Sequence, residues 1–346
     1  MLLHFASLLL PILLSSSPAS AASLSSALCT PPAPDQDDTF IECLIEITPP
    51  ATPLPEPALP PLNLTVVEYN IDRNGRGGDG SKESGLSPII SLLQSTVLPD
   101  FDVLLLSEVA RGCDNWAPTA GDMRSGAAAI AETFPGFYSA YSVEYVNVDS
   151  ASSIGECTIG NAIVSRYPLE DVSTFTFPDQ CCRYGGRWGG RSAVCATLAS
   201  TLLAEPQPLI CSTHLESGQS DFKSVMEGVS TRAKQASVLS SKLSSLAFSH
   251  DQLLLLGGDM NAPLRKVDPT RLAFEWGGFH DTLDGLDWEY RATAPEEAGG
   301  KVAISLDMIY ANRKIKDFVL DAGVCEDQDA CFGISDHVPI YTTVLL

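Results

Sequence analysis

The sequence predicts an α/β fold in which two mixed β-sheets pack face to face and are flanked by helices. Two features predict it. Short apolar or alternating segments recur from residue 64 to the end of the chain, and segments with helical spacing separate some of them. No internal repeat is visible, and the composition does not change again after residue 62. We therefore expect one folded domain at residues 63–346.

The predicted strands are short and are bounded by Gly, Pro or polar residues, which is typical of strands joined by tight loops. They cover residues 64–70, 103–106, 142–148, 161–165, 193–198, 208–213, 253–256, 304–310 and 338–344. Three further segments are predicted to be helices, at residues 87–97, 122–133 and 221–247.

The first 62 residues differ in composition from the rest. Residues 1–21 hold a short apolar run followed by Ala19-Ser20-Ala21, the pattern of a cleavable signal peptide, although no Lys or Arg precedes Arg73. Residues 22–62 are acidic and rich in proline, which predicts an extended linker or pro-segment. No later segment has the length of a membrane span. We expect a secreted monomer without stable membrane insertion.

All ten cysteines lie after the predicted signal peptide. An even number of cysteines in an exported chain predicts disulfide bonds, and the lack of a C-x-x-C pair argues against a zinc site. Cys325 and Cys331 flank an acidic loop and are the first candidates for a local bridge. The adjacent Cys181 and Cys182 should each have a distant partner.

The chain has 43 acidic and 21 basic residues, a formal net charge of −22. Such a charge excludes a protein that attracts nucleic acid or anionic lipid through its overall field. A polyanionic ligand would need a local basic patch or a bound cation.

Several predicted strands end on a carboxylate, an amide or an imidazole. Residues near strand ends can meet at one edge of a sheet, so these side chains can form a single site. Their oxygens suit a hard cation such as Mg²⁺, which polarises a phosphoryl group, and a His paired with a carboxylate can transfer a proton. The residues are Asn70, Asp72, Glu108, His214, Asp259, Asn261, Asp307, Asp336 and His337.

Other enzyme classes fit the sequence less well. Neighbours on an extended chain point to opposite faces, so residues 335–337 cannot form a nucleophilic triad by themselves. The chain also lacks G-x-S-x-G and H-E-x-x-H. Residues 75–80 match G-x-G-x-x-G, but a dinucleotide site needs a helix at the glycines, and a serine-rich stretch and then Pro88 follow instead.

Taken in order, these motifs resemble the endonuclease/exonuclease/phosphatase superfamily, along residues 64–346. The motifs are N-x-D at 70–72, a strand ending in Glu108, His-Leu at 214–215, Gly-Asp-x-Asn at 258–261, Asp307 and Ser-Asp-His at 335–337. Three others strengthen the resemblance: G-N-A-I-V-S-R at 160–166, R-x-x-Q at 232–235 and G-F-x-D at 278–281. The resemblance implies the DNase I-like four-layer sandwich.

The resemblance also implies a metal site. Glu108 would be the principal ligand of Mg²⁺, with Mn²⁺ or Ca²⁺ as possible substitutes. The residues that would help to bind the metal or its water are Asn70, Asp72 and Asp336. One position departs from the family pattern: Ser305 stands where many members have an Arg, which affects local salt bridging or substrate contact rather than the metal.

Catalytic roles follow from the same resemblance. Asp259 would orient or deprotonate the attacking water, and Asn261 would position the phosphate. His337, paired with Asp307, would stabilise the transition state or transfer a proton. His214 would contact the phosphate or protonate the leaving oxygen.

Few residues in the sequence indicate which phosphate ester is the substrate. The candidates for substrate contact are Asn161, Arg191 and Ser217. Residues 183–191 interleave three arginines with Tyr184 and Trp188, a pattern that suits phosphate and base contact. The same pattern also suits inositol phosphates, or a surface turn closed by disulfides at Cys181 and Cys182. We favour a nuclease or phosphodiesterase modestly over a lipid phosphodiesterase or phosphatase. A sphingomyelinase-like or inositol-phosphate phosphatase activity is the alternative, and a catalytically silent binding protein is the alternative of another class.

Three further residues have structural interpretations. Glu68 shares a strand face with Asn70, so it either supports the metal cluster or makes a buried hydrogen bond. His280 and Trp276 are expected to have structural roles, the tryptophan by packing.

Overall fold

The computed structural model describes most of the chain from residue 45 onward. The described residues are 45–50, 63–75, 85–113, 124–147, 157–177, 187–199, 203, 206–217, 222–246, 252–262, 268–284, 293–295, 302–313, 318–325, 331 and 334–346. The predicted signal peptide lies outside them. So do Cys29, Cys43, Cys181, Cys182 and the arginine at position 183.

The first sheet contains eight strands. They are β1 (Ile45–Thr48), β2 (Asn63–Asn70), β3 (Val103–Arg111), β4 (Tyr138–Asn147), β5 (Thr158–Ser165), β7 (Arg187–Gly189), β15 (Val319–Val324) and β16 (Ile340–Leu345). Their order is β1-β4-β5-β3-β2-β16-β15, and β7 pairs with β4 beyond the end of β1. Strands β2 and β3 are parallel, whereas their outer neighbours β16 and β5 are antiparallel to them, so the sheet is mixed.

The second sheet contains six strands. They are β6 (Leu169–Thr176), β8 (Ser192–Leu198), β9 (Leu209–His214), β10 (Leu254–Asp259), β11 (His280–Asp281) and β14 (Asp307–Ala311), in the order β11-β14-β10-β9-β8-β6. Strands β9 and β10 are parallel, and β8 and β14 flank them in antiparallel orientation. A separate hairpin is formed by β12 (Ala294–Pro295) and β13 (Val302–Ile304).

Helices α2 (Leu86–Leu93), α3 (Gly126–Thr133), α4 (Phe222–Leu246) and α5 (Pro269–Trp276) cover the outer faces of the two sheets. The short helix α1 (Asp72–Gly75) directly follows β2. One buried cluster joins α2 and α3 to the first sheet and continues between the sheets, where it includes Leu105 and Ile210. A second cluster packs Leu239 of α4 and Phe274 of α5 against Leu256 of β10. The helix–sheet–sheet–helix arrangement confirms the predicted four-layer α/β sandwich.

The two parallel pairs determine where the polar side chains meet. Carboxyl ends of parallel neighbours lie at the same edge of a sheet, and β2 and β3 end there at Asn70 and near Glu108. In the second sheet, β9 and β10 end at His214 and Asp259, which lie opposite each other in register. Antiparallel β14 begins at this edge, where Asp307 lies opposite Asp259.

A glycine allows the first sheet to bulge at this edge. Gly160 of β5 lies opposite Val109 and Val143, and the register of each neighbouring strand shifts at that point, which places Glu108 and Glu144 at the two bulges. A Cβ atom at position 160 would lie 1.9 Å from the carbonyl oxygen of Ser142, so no larger residue fits there. Bulges redirect side chains at functional edges.

Several elements differ from the sequence prediction. The predicted strand 304–310 is divided, because the backbone N–H groups of Leu306 and Asp307 donate to the hydroxyl of Thr293 rather than to a neighbouring strand. Helix α2 ends at Leu93 instead of 97, because Gln94 caps it and the hydroxyl of Ser95 donates to the carbonyl of Leu92 (2.6 Å). The sequence did not predict β1, β6, β7, β11, β12, β15, α1 or α5.

Strand β1 lies within the segment that the sequence assigns to the Pro-rich linker. Residues 45–48 pair with β4 in antiparallel register from Ile45↔Ser142 to Thr48↔Ser139. The carboxylate of Glu46 accepts a hydrogen bond from Arg111 (2.8 Å) and one from the hydroxyl of Ser125 (3.2 Å). This part of the segment therefore adds an edge strand to the first sheet.

Three disulfide bonds lie within the described residues. The predicted local bridge between Cys325 and Cys331 is present. The other two join Cys113 to Cys157 and Cys195 to Cys211, and the second of these connects directly opposed residues of β8 and β9. It therefore fixes the register of two strands that lead to the polar edge.

Among the helices in the described part of the chain, none is both long and apolar enough to cross a membrane.

Candidate active site

An Asp–His pair lies at the centre of the polar edge. His337 Nδ1 is 2.6 Å from Asp307 Oδ2, and both side chains are buried. This contact places the Nδ1 proton between them and turns Nε2 toward Asp259, whose Oδ2 is 3.8 Å away. Burial alone would lower the pKa of His337, but the carboxylates of Asp307 and Asp259 outweigh it and raise that pKa well above its usual range. The pair can therefore present a positively charged N–H.

Asp259 is held by several donors. Its Oδ2 accepts from Asn70 Nδ2 (3.0 Å) and lies 3.5 Å from His214 Nε2, while its Oδ1 accepts from the backbone N–H of Asn261 (2.7 Å). Burial would raise the pKa of Asp259, but the neighbouring histidines and these hydrogen bonds lower it overall. Asp259 is therefore a carboxylate that remains ionised beside a proton donor.

The four predicted metal ligands lie at the adjacent corner of the edge. Asn70 Oδ1 accepts from the backbone N–H of Asp72 (3.0 Å), and the Asn70 carbonyl accepts from Ser335, the neighbour of Asp336. Burial raises the pKa of Asp336, and the charge of nearby Glu108 raises it further. Hard oxygens that repel one another in this way suit a divalent cation, which would neutralise them. The donor set is therefore of the kind that suits a divalent cation.

A second group could also hold a cation. Ligand atoms of Asp259, Asp307 and His337 lie within 4.8 Å of one another. However, His337 already bonds Asp307, and Asp259 already accepts from Asn70 and Asn261. Several ligand atoms of this group are therefore already engaged in hydrogen bonds within the protein.

Strained backbone is concentrated at this edge. The described residues include five non-glycine residues with positive φ, and four of them belong to this edge: Asp72 (36°), Arg73 (56°), Glu108 (55°) and Asn261 (49°). Such conformations cost about 1–3 kcal/mol each and persist where the surrounding structure requires them, often at functional sites. Arg73 Nε lies 3.5 Å from Glu108 Oε2, so the strained α1 turn also places a guanidinium beside the predicted principal ligand.

The third part of the site surrounds His214. Its Nε2 lies 2.9 Å from Asn261 Nδ2, and its Nδ1 lies 2.7 Å from Arg191 Nη1 and 3.5 Å from Glu144 Oε2. Arg191 also forms an ion pair with Glu144 and donates to Ser217 Oγ (3.3 Å). Two predicted substrate contacts, Arg191 and Ser217, therefore lie together beside His214.

Asn161, the third predicted substrate contact, lies deeper in the fold. Its side chain is fully buried, and its Nδ2 donates to the carbonyl (3.0 Å) and hydroxyl (3.3 Å) of Ser192. This bond joins β5 of the first sheet to β8 of the second. It also fixes the residue that follows Arg191 in the chain.

The R-x-x-Q motif of helix α4 supports the loop after His214. Arg232 Nη1 donates to the carbonyl of Glu216 (3.0 Å), and Gln235 Oε1 accepts from the backbone N–H of the same residue (2.9 Å). The buried motif thus orients the segment that leads to Ser217.

Glu144 is the main site residue that the sequence reasoning missed. It is fully buried, at the bulge in β4, and its partners are Arg191 and His214. The signal in the sequence was one acidic residue between Val143 and Tyr145 in an otherwise uncharged strand. Trp276, by contrast, was expected to pack but is 83% exposed at the end of α5.

Glu68 lies beneath the site, between the two sheets. It is fully buried, and among the described residues neither carboxylate oxygen has a hydrogen-bond partner. A Cβ atom at position 257 of β10 would lie 3.2 Å from Glu68 Cγ, so the side chain faces the second sheet. Burial, reinforced by Asp307 and Asp259, raises its pKa well above the usual range. The side chain of Ser107 acts against that rise, so both interpretations of Glu68 stay open.

Replacing Glu68 by Gln should make stability less dependent on pH. Because the folded-state pKa of Glu68 is raised, the folded protein keeps a proton that the unfolded chain releases above the ordinary Glu pKa. Stability therefore falls as pH rises from that value, by up to about 1.4 kcal/mol per pH unit from this group. Urea unfolding of metal-free wild type and Glu68→Gln between pH 5 and 8 measures the difference. If the unfolding free energy of wild type and of Glu68→Gln changes equally with pH, the prediction is wrong. Exposed Glu170→Gln is the control and should behave as wild type.

Comparison with protein families agrees with this geometry. The model described as the Endonuclease/Exonuclease/phosphatase family matches residues 67–337, well over half of the chain. No curated protein matches the chain in sequence.

Solved structures show the same fold. An endonuclease/exonuclease/phosphatase from Beutenbergia cavernae is 20% identical, with a TM-score of 0.60, covering 83% of this chain and 72% of that one. A 3′ phosphatase from Neisseria, bound to a product DNA hairpin, is 16% identical, with a TM-score of 0.53 and coverage of 81% and 98%. A mannosyl-6-phosphatase from Bacteroides thetaiotaomicron is 17% identical, with a TM-score of 0.50 and coverage of 82% and 100%.

Proposed function

Because this chain belongs to the endonuclease/exonuclease/phosphatase family, we propose that it is a secreted phosphoester hydrolase that depends on a divalent cation and uses water as the nucleophile. The observation that supports it best is the single polar edge. There, a charged Asp–His pair, an ionised Asp259 and the Glu108 corner face one another. Three disulfides within the described residues fit an oxidising compartment.

Glu108, Asn70, Asp72 and Asp336 would hold the cation, and when bound it would polarise the phosphoryl group and neutralise developing charge. The chain's own residues account for the remaining chemistry. Asp259 Oδ2 accepts a hydrogen bond from Asn70 Nδ2 and lies 3.5 Å from His214 Nε2 and 3.8 Å from His337 Nε2, which fixes the carboxylate where it would meet a water molecule. Its lowered pKa keeps it ionised, so it can align that water and take its proton.

His337 stabilises the charge that develops on the phosphoryl oxygens. Its Nδ1 proton is fixed by Asp307, so Nε2–H can donate to an oxygen of the pentacoordinate transition state. Asn261 positions the phosphate next to Asp259, and His214 contacts the phosphate or protonates the leaving oxygen. Asn161 contributes to substrate contact indirectly in this proposal, because it holds Ser192 beside Arg191.

A nuclease or phosphodiesterase activity is the favoured substrate class. Arg73 and Arg191 place two guanidinium groups at the edge, each beside a carboxylate, in a chain whose net charge is −22. Arginine suits phosphate contact. The Neisseria structure of the same fold is described as a 3′ phosphatase bound to a product DNA hairpin, which supports nucleic acid as the substrate class. A phosphomonoesterase is the second candidate, because another structure of the same fold is named a mannosyl-6-phosphatase.

One assay tests the proposal. The disulfide-intact protein is incubated with plasmid DNA, RNA, sphingomyelin, an inositol phosphate and bis-p-nitrophenyl phosphate, with Mg²⁺ or with EDTA. We expect cleavage of nucleic acid and of the diester that EDTA abolishes and added Mg²⁺ restores. Turnover of the lipid or the monoester alone would retain the chemistry and change the substrate. No hydrolysis of any of them, with Mg²⁺ or Mn²⁺, would support a silent binding protein.

A further inference from the structure

Arg191 lies beside both Glu144 and His214. Its guanidinium contacts Glu144 and His214 Nδ1, and its second terminal nitrogen donates to Ser217. The arginine side chain is 13% exposed, whereas Glu144 is fully buried and His214 nearly so. Arg191 is therefore the member of this group that borders solvent at the active-site edge.

As long as Arg191 contacts His214 Nδ1, the two ring nitrogens of His214 cannot both form hydrogen bonds with their neighbours. The N–H groups of a guanidinium and of a side-chain amide can donate hydrogen bonds but cannot accept them. Asn261 must present its nitrogen to His214 Nε2, because the same Nδ2 lies 3.0 Å from the carbonyl oxygen of Leu215. A neutral imidazole has one acceptor nitrogen, yet here donors face both nitrogens. One of the two contacts therefore cannot be a hydrogen bond.

Removing Arg191 from His214 resolves the conflict. Glu144 Oε2 lies 3.5 Å from His214 Nδ1 and can accept a proton from it. His214 Nε2 is then able to accept from Asn261. With its Nδ1 proton held by Glu144, the ring can take a second proton at Nε2, which lies 3.5 Å from Asp259 Oδ2, only when Asn261 Nδ2 moves away from Nε2. As long as Arg191 donates to Nδ1, that doubly protonated ring is excluded.

We propose that Arg191 is a phosphate-responsive residue: it leaves His214 for the non-bridging oxygens of a bound phosphate, and Glu144 then takes over Nδ1–H and positions His214. This inference rests on the proposed function, since it names how the same site recognises its phosphate. A phosphate group offers Arg191 a charge-assisted, bidentate partner that a histidine nitrogen cannot match. Phosphate binding and the alignment of His214 are thereby coupled.

Imidazole ¹⁵N NMR of the whole protein, with inorganic phosphate as the probe, tests the inference without requiring turnover. The His214 signals are assigned by their loss in His214→Gln. In the free protein we expect an unprotonated Nδ1, and saturating phosphate should convert it to a protonated Nδ1. Arg191→Ala should show the protonated Nδ1 without phosphate and should weaken phosphate binding about 10-fold or more. Glu144→Gln should lose the phosphate-induced change.

Arg166→Ala is the matched control, because Arg166 pairs with Asp102 away from the site; it should behave as wild type. An Nδ1 that is already protonated in the free wild type, or that does not respond to phosphate, would overturn the inference. Failure of the proposed function is distinguishable, because it appears as absent ester hydrolysis while the NMR response to phosphate can still be present.

Discussion

His337→Ala should lower kcat/KM for ester hydrolysis by about 10²–10⁴-fold, because it removes a positioned proton donor from the transition state. The side chain is held by the 2.6 Å contact with Asp307 and lies 3.8 Å from Asp259, so no other described residue can take its place without moving. Steady-state kinetics at saturating Mg²⁺ measures the loss. His280→Ala is the matched control, since His280 lies in β11 away from this pair.

The pH dependence of the same variant separates catalysis from folding. The raised pKa of His337 keeps its charged form present through neutral pH, and activity that needs this form falls as pH rises through that pKa. The alkaline decrease in kcat/KM should therefore be seen in wild type and be absent from the residual activity of His337→Ala. Wild-type activity in the variant would refute the role of His337, and an unchanged alkaline limb would assign that limb to another group.

Glu108→Gln should raise the Mg²⁺ concentration for half-maximal activity by about 10-fold or more, since changes even to residues that support a metal ligand cost about 10–100-fold in affinity. Glu108 has a strained φ of 55°, and its carboxylate lies near that of Asp336. The backbone therefore holds its negative charge beside a second carboxylate. The amide keeps the shape of the side chain and removes its charge. Titration of activity with Mg²⁺ measures the effect.

Exposed Glu170 provides the control for that titration, because Glu170→Gln makes the same chemical change on the edge strand β6. Its Mg²⁺ dependence should match wild type. If Glu108→Gln also matches wild type, the metal is held elsewhere, and the group formed by Asp259, Asp307 and His337 becomes the candidate.

The polar cluster could be predicted because strand ends are a simple geometric signal. Asn70, His214 and Asp259 each end a buried strand, and parallel pairing brings such positions to one edge. Glu144 could not be predicted in this way, because it lies inside a strand and reaches the site only through a bulge opposite Gly160. A bulge depends on the pairing of two distant segments, which no local pattern reveals.

The elements that were missed have similar physical explanations. Strands β6 and β15 are partly exposed edge strands, so they lack a strong apolar pattern. Helix α5 did carry a local signal, because Asp268 caps it and Pro269 opens it. Asn161 belongs to a motif that suggested substrate contact, but its burial against Ser192 depends on how the two sheets meet.

The pairing of strand β1 determines where an N-terminal truncation can begin. A shortened chain that starts at residue 63 would keep every side chain proposed to be catalytic but would remove the strand that pairs with residues 139–142 of β4. It would also delete Glu46, which forms an ion pair with Arg111 and accepts a hydrogen bond from Ser125. Ser125 is the N-cap of helix α3. Bare strand edges invite association with other chains. The boundary for soluble expression therefore lies before residue 45, inside what the composition marks as a tail.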